Sequence, residues 1–475
     1  MTDLPNGWAR TTLGEVCEVS PRDPALADDA PFVPMNAVEV GTRWPVSYEV
    51  KGSRGGVRAQ ANDVLFARIT PCLENGKVAQ LPVDSLPTGG STEFIVVRPS
   101  AAVMPAYVYY WCLHPDVRAG AQSRMAGVTG RMRLSGKDLA SFGFQLPPFP
   151  EQHRIVEALE DHLSRLDAGE ANLMVSAKKA AALRSRAVEA TLEASFDRDK
   201  AAGERLARIV ELRETLVRQR HKVATPPAYQ LDLPAGWVTA SVDQLCWQIQ
   251  YGTSTKANVA DSGTDVAVLR MGNIQDGEIH VDSLKYLPAD DPSLNDLLLE
   301  PGDLLFNRTN SAELVGKTAV FTDQLERATF ASYLIRCRTV PGVSAQWISY
   351  IANSSVGRRY IDSVMSQQVG QANVNGTKLA AMPIPITTAD VESALVEEIS
   401  ELRRSSARLA TEVCEGLDRS RALRRSLLRA AFNGDLVDQD PSDEPAEVAL
   451  ERLRAESKPV RKRAAKSSAA VAHQG

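Results

Sequence analysis

The sequence predicts a mixed α/β (α+β) protein built twice over. Two globules are each followed by a long helix, and the two helices pack antiparallel and coiled-coil-like about a pseudo-twofold axis. Three observations predict this. Four landmarks recur in the same order along the chain. Short strand-like runs punctuated by Gly and Pro fill each repeat. A three-and-four stepping of apolar residues then follows each repeat.

The first landmark pairs "LPNGWARTTLGEVCEV" (4–19) with "LPAGWVTASVDQLCWQ" (233–248). The next pairs "ANDVLFARITPCLENGKVA" (61–79) with "PGDLLFNRTNSAELVGKTA" (301–319). "STEFIVVRPS" (91–100) has its counterpart in "ASYLIRCRTV" (331–340), and "RLSGKDLASFGFQLPP" (133–148) in "NVNGTKLAAMPIPITT" (373–388). The offset grows from 229 (Leu4 to Leu233) to 240 (Gly136 to Gly376). Four matches in register make duplication the economical explanation. "DVLFARI", "DLLFNRT", "EFIVVR" and "YLIRCR" predict strands. "AYVYYWCL" and "AQWISYIA" predict apolar helices, whose aromatics (Tyr107, Tyr109, Tyr110, Trp111; Trp347, Tyr350) belong in the core. Trp8 and Trp237 anchor the start of each globule.

After each globule the pattern becomes helical. Ile155, Leu159, Leu163, Leu166 and Leu173 step along one segment; Val396, Ile399, Leu402, Leu409 and Val413 step along the other. Neither stripe is stable alone in water, so each needs the other. About 45 residues at ~1.5 Å rise would give a rod of roughly 65–70 Å. Gly169 and Gly416 are expected to loosen these helices locally. The resulting division is 1–150, first globule; 151–198, first spacer helix; 199–229, additional helix and linker; 230–388, second globule; 389–435, second spacer helix; 436–475, a C-terminal extension ending in a basic, disordered tail (Lys458, Arg461, Lys462, Arg463, Lys466).

Of the 475 residues, 44% are hydrophobic and 24% charged, an ordinary globular balance. Six scattered cysteines form no CxxC pair, which argues against a zinc site and a disulfide framework. The longest apolar run (101–113) is too short to span a bilayer and contains Pro105. "MTDLPNGW" has neither the basic start nor the apolar stretch of a secretory leader, so a reduced, cytoplasmic location is expected. The net charge of −5 is poor for a lone nucleic-acid binder, so such a role needs local basic patches or partner subunits.

Catalytic patterns are thin. "LPPF" (146–149) and "TPPAY" (225–229) lack the Asn or Asp that precedes the prolines of an adenine-methylation motif. "SAELVGKTAV" (311–320) holds Gly-Lys-Thr, but Ser311 stands where a phosphate loop needs glycine. Glu74 with Lys77, and Asp303 with Glu313 and Lys317, are irregularly spaced and read as hairpin residues. The six histidines form no metal-spaced set.

The "LPxGW" openings, "DVLFARITPCLENGK" and "LPPFPEQHRIVEALEDHLSRLDAG" resemble the specificity subunit of type I restriction–modification systems, over about residues 1–435. The start of the second helix, "VESALVEEI", departs from the "EQ-RIV" pattern. The resemblance implies two target recognition domains, each reading one half of a split site on double-stranded DNA. It also implies docking of two adenine-N6 methyltransferase (M) subunits, with or without two restriction/motor (R) subunits, on a chain that is itself non-catalytic. S-adenosylmethionine, ATP and Mg²⁺ would then belong to the partners, with no cofactor in this chain. A split site is energetically sensible. At ~1–3 kcal/mol per base pair, one domain reading about three pairs is marginal against ~10⁶ competing sites. The alternative is a coiled-coil scaffold whose globules bind protein.

Guanine is read by Arg or Lys and adenine by Asn or Gln. "SRMAGVTGRMRLSGK" offers Arg124, Arg131, Arg133 and Lys137; "SQQVGQANVNGTK" offers Gln367, Gln368, Gln371, Asn373, Asn375 and Lys378 at the equivalent place. Arg68 with Lys77, and Arg308 with Lys317, match after the central strand. Arg358 and Arg359 are candidate phosphate contacts. The first half-site is thus expected to lean toward guanine contacts and the second toward adenine.

Overall fold

The computed structural model describes residues 4–128, 131–194, 201–217, 233, 235–258, 263, 265–368 and 371–456. The chain divides into two compact units, Met1–Leu173 with Cys414–Gly475, and Met174–Val413. The basic tail lies outside the described residues. Among the described residues, no helix is long and apolar enough to cross a membrane.

In the first unit, Ala9–Thr12 pairs antiparallel with Gly143–Leu146, joining the start of the globule to its end. An antiparallel four-stranded sheet runs in the order Cys17–Val19, Phe94–Pro99, Val64–Ala67, Val78–Gln80. The "DVLFA" strand lies between two cores. Val64 and Phe66 face the cluster that holds Tyr107 and Trp111, while Leu65 and Ala67 face a second cluster with Val33 and Phe94. Burial on both faces explains why this strand is a continuous apolar run rather than an alternation. A smaller sheet orders Glu49–Val50, Pro31–Val33, Thr88–Gly90 and Val57–Ala59, with one parallel pairing (Phe32 with Gly89).

The second unit repeats this plan. Val238–Ser241 pairs with Pro383–Ile386, and the main sheet orders Cys246–Tyr251, Leu334–Thr339, Leu304–Asn307, Thr318–Val320. Register is kept as well: Leu65 opposes Val96, and Leu305 opposes Arg336. The aspartate before each central strand has one job in both halves. Asp63 accepts from the Gln60 N–H (2.7 Å) and pairs with Arg98 (2.8 Å). Asp303 accepts from the Glu300 N–H (3.0 Å) and pairs with Arg338 (2.8 Å). Gly316-Lys317-Thr318 leads into an ordinary sheet strand, where Thr318 Oγ1 donates to the Ser349 carbonyl (3.2 Å).

The long helices are Phe149–Ala194 and Ala389–Asn433. Neither breaks at its glycine. A Cβ at Gly169 would meet open space, whereas one at Gly416 would lie 2.9 Å from Leu173 Cδ1, so Gly416 permits close packing rather than loosening. The second stripe departs by one residue at a single position, Ile399 and Val413 being buried as expected. Leu402 is 42% exposed, and Arg403 turns inward instead, its guanidinium over the Tyr350 ring (5.4 Å). A short helix follows each long one. Ala446–Glu456, within the expected extension, is part of the first unit: Ala446 and Leu450 are buried, and the Ala446 N–H donates to the Gly7 carbonyl (2.8 Å). Ala201–Leu216 packs in the second unit through Ile209 and the Arg213–Asp243 ion pair (2.6 Å).

The departure at "VES" has a structural counterpart. In the first unit Trp8 Nε1 donates to Glu151 (3.0 Å). Gln152 accepts from the Met104 N–H (2.7 Å) and donates to the carbonyls of Ala102 (3.1 Å) and Pro147 (3.0 Å). In the second unit Val391 and Glu392 occupy these places. Glu392 still accepts from the Ser344 N–H (3.3 Å) but has no proton to donate. Arg205 supplies the donors instead, to Thr387 O (2.6 Å), Gly342 O (3.0 Å) and Glu392 itself (2.8 Å). Val391 has no counterpart to the Glu151 carboxylate, and Trp237 Nε1 is left buried without a partner among the described residues.

Candidate nucleic-acid interface

Two segments singled out separately in the sequence come together in each unit. Past the central strand of the first unit, Ile69 bridges Arg133, which also bridges Ala126; the Leu134 N–H donates to Arg68 O (2.9 Å). In the second unit the same pairing is a three-stranded ribbon ordered Thr309–Asn310, Gln371–Asn373, Ser366–Gln368, with the Val374 N–H donating to Arg308 O (2.9 Å). Residues 129–130 and 369–370 lie outside the described residues.

Arg133 is exposed and donates from Nε (2.9 Å) and Nη2 (2.6 Å) to Glu93, whose carboxyl these hydrogen bonds hold below the usual carboxylate range. Arg131 and Lys137 are exposed. Arg124 donates to Ser141 Oγ (3.0 Å) and lies over the Phe142 ring (4.3 Å). Arg68 and Arg308 are half-buried, each with an Nε that lacks a partner among the described residues. The Arg308 guanidinium sits over Tyr251 (4.9 Å). Asn373 donates from Nδ2 to Thr309 Oγ1 (2.8 Å), Gln371 is exposed, and Gln367 and Gln368 lie on the adjoining strand.

Other candidates already serve the fold. Lys77 Nζ donates to Met35 O (3.0 Å). Arg358 donates to Val315 O (2.9 Å) and Ala312 O (3.0 Å) and pairs with Asp362, latching the loop after the central strand. Arg118, which sequence reading passed over, latches the matching loop through Glu74 O. Asn375 caps the helix Gly376–Ala380 by accepting from the Lys378 N–H (2.9 Å), as Ser135 caps Gly136–Ala140. Lys378 Nζ donates to Ser366 Oγ (2.6 Å). Lys317 is half-buried and, with Glu313 and Asn353, lines a cavity of ≈ 1140 Å³ in the second unit; Arg359 is exposed.

Sequence reading missed Glu93, Thr309, Tyr251 and Tyr333. The two tyrosines are 43% and 48% exposed on this face, and Tyr251 Oη accepts from the Gly376 N–H (2.7 Å). The signal was present for one of them. Tyr333 aligns with Glu93 in the third landmark, an aromatic in place of a carboxylate. Each unit therefore presents a polar ribbon edge of hydrogen-bonding side chains, backed in the second by exposed aromatics. Such a surface suits base edges and phosphates.

Residues 5–173 match the family described as type I restriction modification DNA specificity domain. Over 91% of its length the chain is 23% identical to the EcoEI type I restriction enzyme specificity subunit of Escherichia coli, covering 83% of that protein. Two solved structures share the fold. A chain from work on complex assembly and conformational transition of the type I R-M system superposes with TM-score 0.67 at 19% identity, covering 92% of this chain and 100% of that one. The HsdS subunit from Thermoanaerobacter tengcongensis superposes with TM-score 0.55 at 20% identity, covering 91% and 98%.

Proposed function

We propose that the whole chain, whose residues 5–173 match the family described as type I restriction modification DNA specificity domain, is a DNA sequence-specificity subunit that reads a bipartite site, one half per unit. It carries no catalytic step. It directs adenine-N6 methyltransferase subunits, two per chain, to the target and through them engages motor–nuclease subunits. S-adenosylmethionine, ATP and Mg²⁺ act in those partners.

One observation carries this reading. The same backbone pairing recurs in both units at matching positions, as isolated bridges in the first and a ribbon in the second, yet its side chains differ: Arg133 stands where Asn373 does, and Glu93 where Tyr333 does. A repeated scaffold with diverged polar tips is what reading two different short sequences requires. The acidic net charge of −5 accords with a subunit that shares DNA wrapping with partners. The test is co-expression with methyltransferase subunits, followed by single-molecule mapping of methyladenine. A split motif is expected, and exchanging residues 230–388 for those of another specificity subunit should change one half of it only. A contiguous motif, or both halves changing together, would refute the proposal. A protein-binding scaffold would leave no DNA footprint even with partners present.

A further inference from the structure

Arg133 and Asn373 hold one shared position. Arg133 bridges Ile69 and Asn373 pairs with Thr309, the corresponding residue of the other half. Each side chain is also pinned by a neighbour. Glu93 engages Nε and Nη2 of Arg133, and Thr309 Oγ1 accepts from Asn373 Nδ2.

What remains free on each side chain is chemically distinct. With Nε and one Nη2 proton engaged, Arg133 keeps the protons of Nη1 and the second proton of Nη2. One Nη1 proton and the remaining Nη2 proton form two parallel donors at the end of the guanidinium, and among the described residues Nη1 has no partner. Guanine presents two adjacent acceptors, O6 and N7, in the major groove. Asn373 keeps Oδ1 as an acceptor and one Nδ2 proton as a donor. Adenine presents the complement, the N6 donor beside the N7 acceptor. Pinning lowers the entropy lost when the side chain meets its base. Pairing with Glu93 also offsets the Arg133 charge, which weakens its attraction to phosphates while leaving the outer pair of donors available.

Resting on the bipartite-DNA reading above, we propose that Arg133 and Asn373 are the specificity-determining residues of the two half-sites, Arg133 taking guanine and Asn373 adenine. The test uses the complex assembled with its methyltransferase subunits. Arg133→Gln should lose or change one guanine of the first half-site and leave the second half unaltered, with cognate binding falling tenfold or more. Asn373→Ala should relax one adenine of the second half-site. Replacing the assigned guanine by 7-deazaguanine, which lacks the N7 acceptor, should weaken the wild-type complex and add nothing to Arg133→Gln. The wild-type half of that arm needs no protein variant, so misfolding cannot mask it. A first half-site without guanine, an unchanged motif for Arg133→Gln, or wild-type binding indifferent to 7-deazaguanine at every guanine of that half overturns the proposal. A wild-type complex with no split motif overturns instead the reading on which it rests.

Discussion

At the residue scale, the two halves solve the same packing problem with different chemistry. Gln152 satisfies two carbonyls and one N–H by itself; in the second unit Glu392 does so only with Arg205. Both side chains of that pair are nearly buried (10% and 3% exposed), so removing one partner strands the other. Arg205→Ala should destabilise the second unit by about 3–5 kcal/mol in denaturant unfolding. Glu392→Gln combined with Arg205→Leu should recover most of that loss, because the amide can then donate as Gln152 does. A second contrast sets a pH dependence. His114 Nδ1 accepts from the Asp116 N–H (3.2 Å), and burial pushes the imidazole pKa below its usual value. The folded state therefore favours the neutral ring. Its contribution is complete above the unfolded value near 6.5 and is lost as pH falls through the lowered folded value. Ser354 caps the corresponding helix with a hydroxyl that does not titrate. Unfolding free energies measured near neutrality and at about pH 5 should show a smaller acid loss for His114→Ser than for wild type. The "VES" departure marked the first contrast but not its compensation, because Arg205 lies 187 residues from Glu392; the surroundings that bury His114 likewise include the distant Phe432 ring.

At the element scale, the strands and the apolar helices were legible because burial imposes its own period. "VLFA" and "LLF" are apolar throughout because a core lies on each face, and Pro105–Leu113 and Ala345–Asn353 fall where "AYVYYWCL" and "AQWISYIA" placed them. The glycines were not legible. Helix propensity alone suggested weak points, yet both helices continue through them, since helical hydrogen bonds on either side outweigh one residue's entropy cost. Gly169→Ala should raise stability by about 0.5–1 kcal/mol, seen as a higher Tm. Gly416→Ala should gain less, because its Cβ would press on Leu173. The exposed Leu402 follows the same logic: periodicity marks a face only to within one residue, and the inward Arg403 decides which one.

At the scale of the whole molecule, the duplication extends beyond the two long helices to the short helix that follows each. Each long helix begins in one unit and ends in the other, and its trailing short helix then completes that second unit. Ending the chain after Asn433 should therefore destabilise the first unit by at least about 2–3 kcal/mol, because Leu450 and Ala446 leave its core. Thermal unfolding and limited proteolysis within residues 4–173 would register the loss. The sequence by itself determined the repeat, its register, the element types and the polar segments that the fold brings beside each central strand. All of these follow from local periodicity and from comparing one half of the chain with the other. Only the tertiary structure decided which polar residues remain available. Arg358, Lys77 and Asn375 hold loops and caps in place, while Arg133 and Asn373 are pinned with hydrogen-bonding groups to spare. The physical reason is that a donor's availability depends on which distant carbonyl or carboxylate the fold brings against it, and spacing along the chain does not encode that.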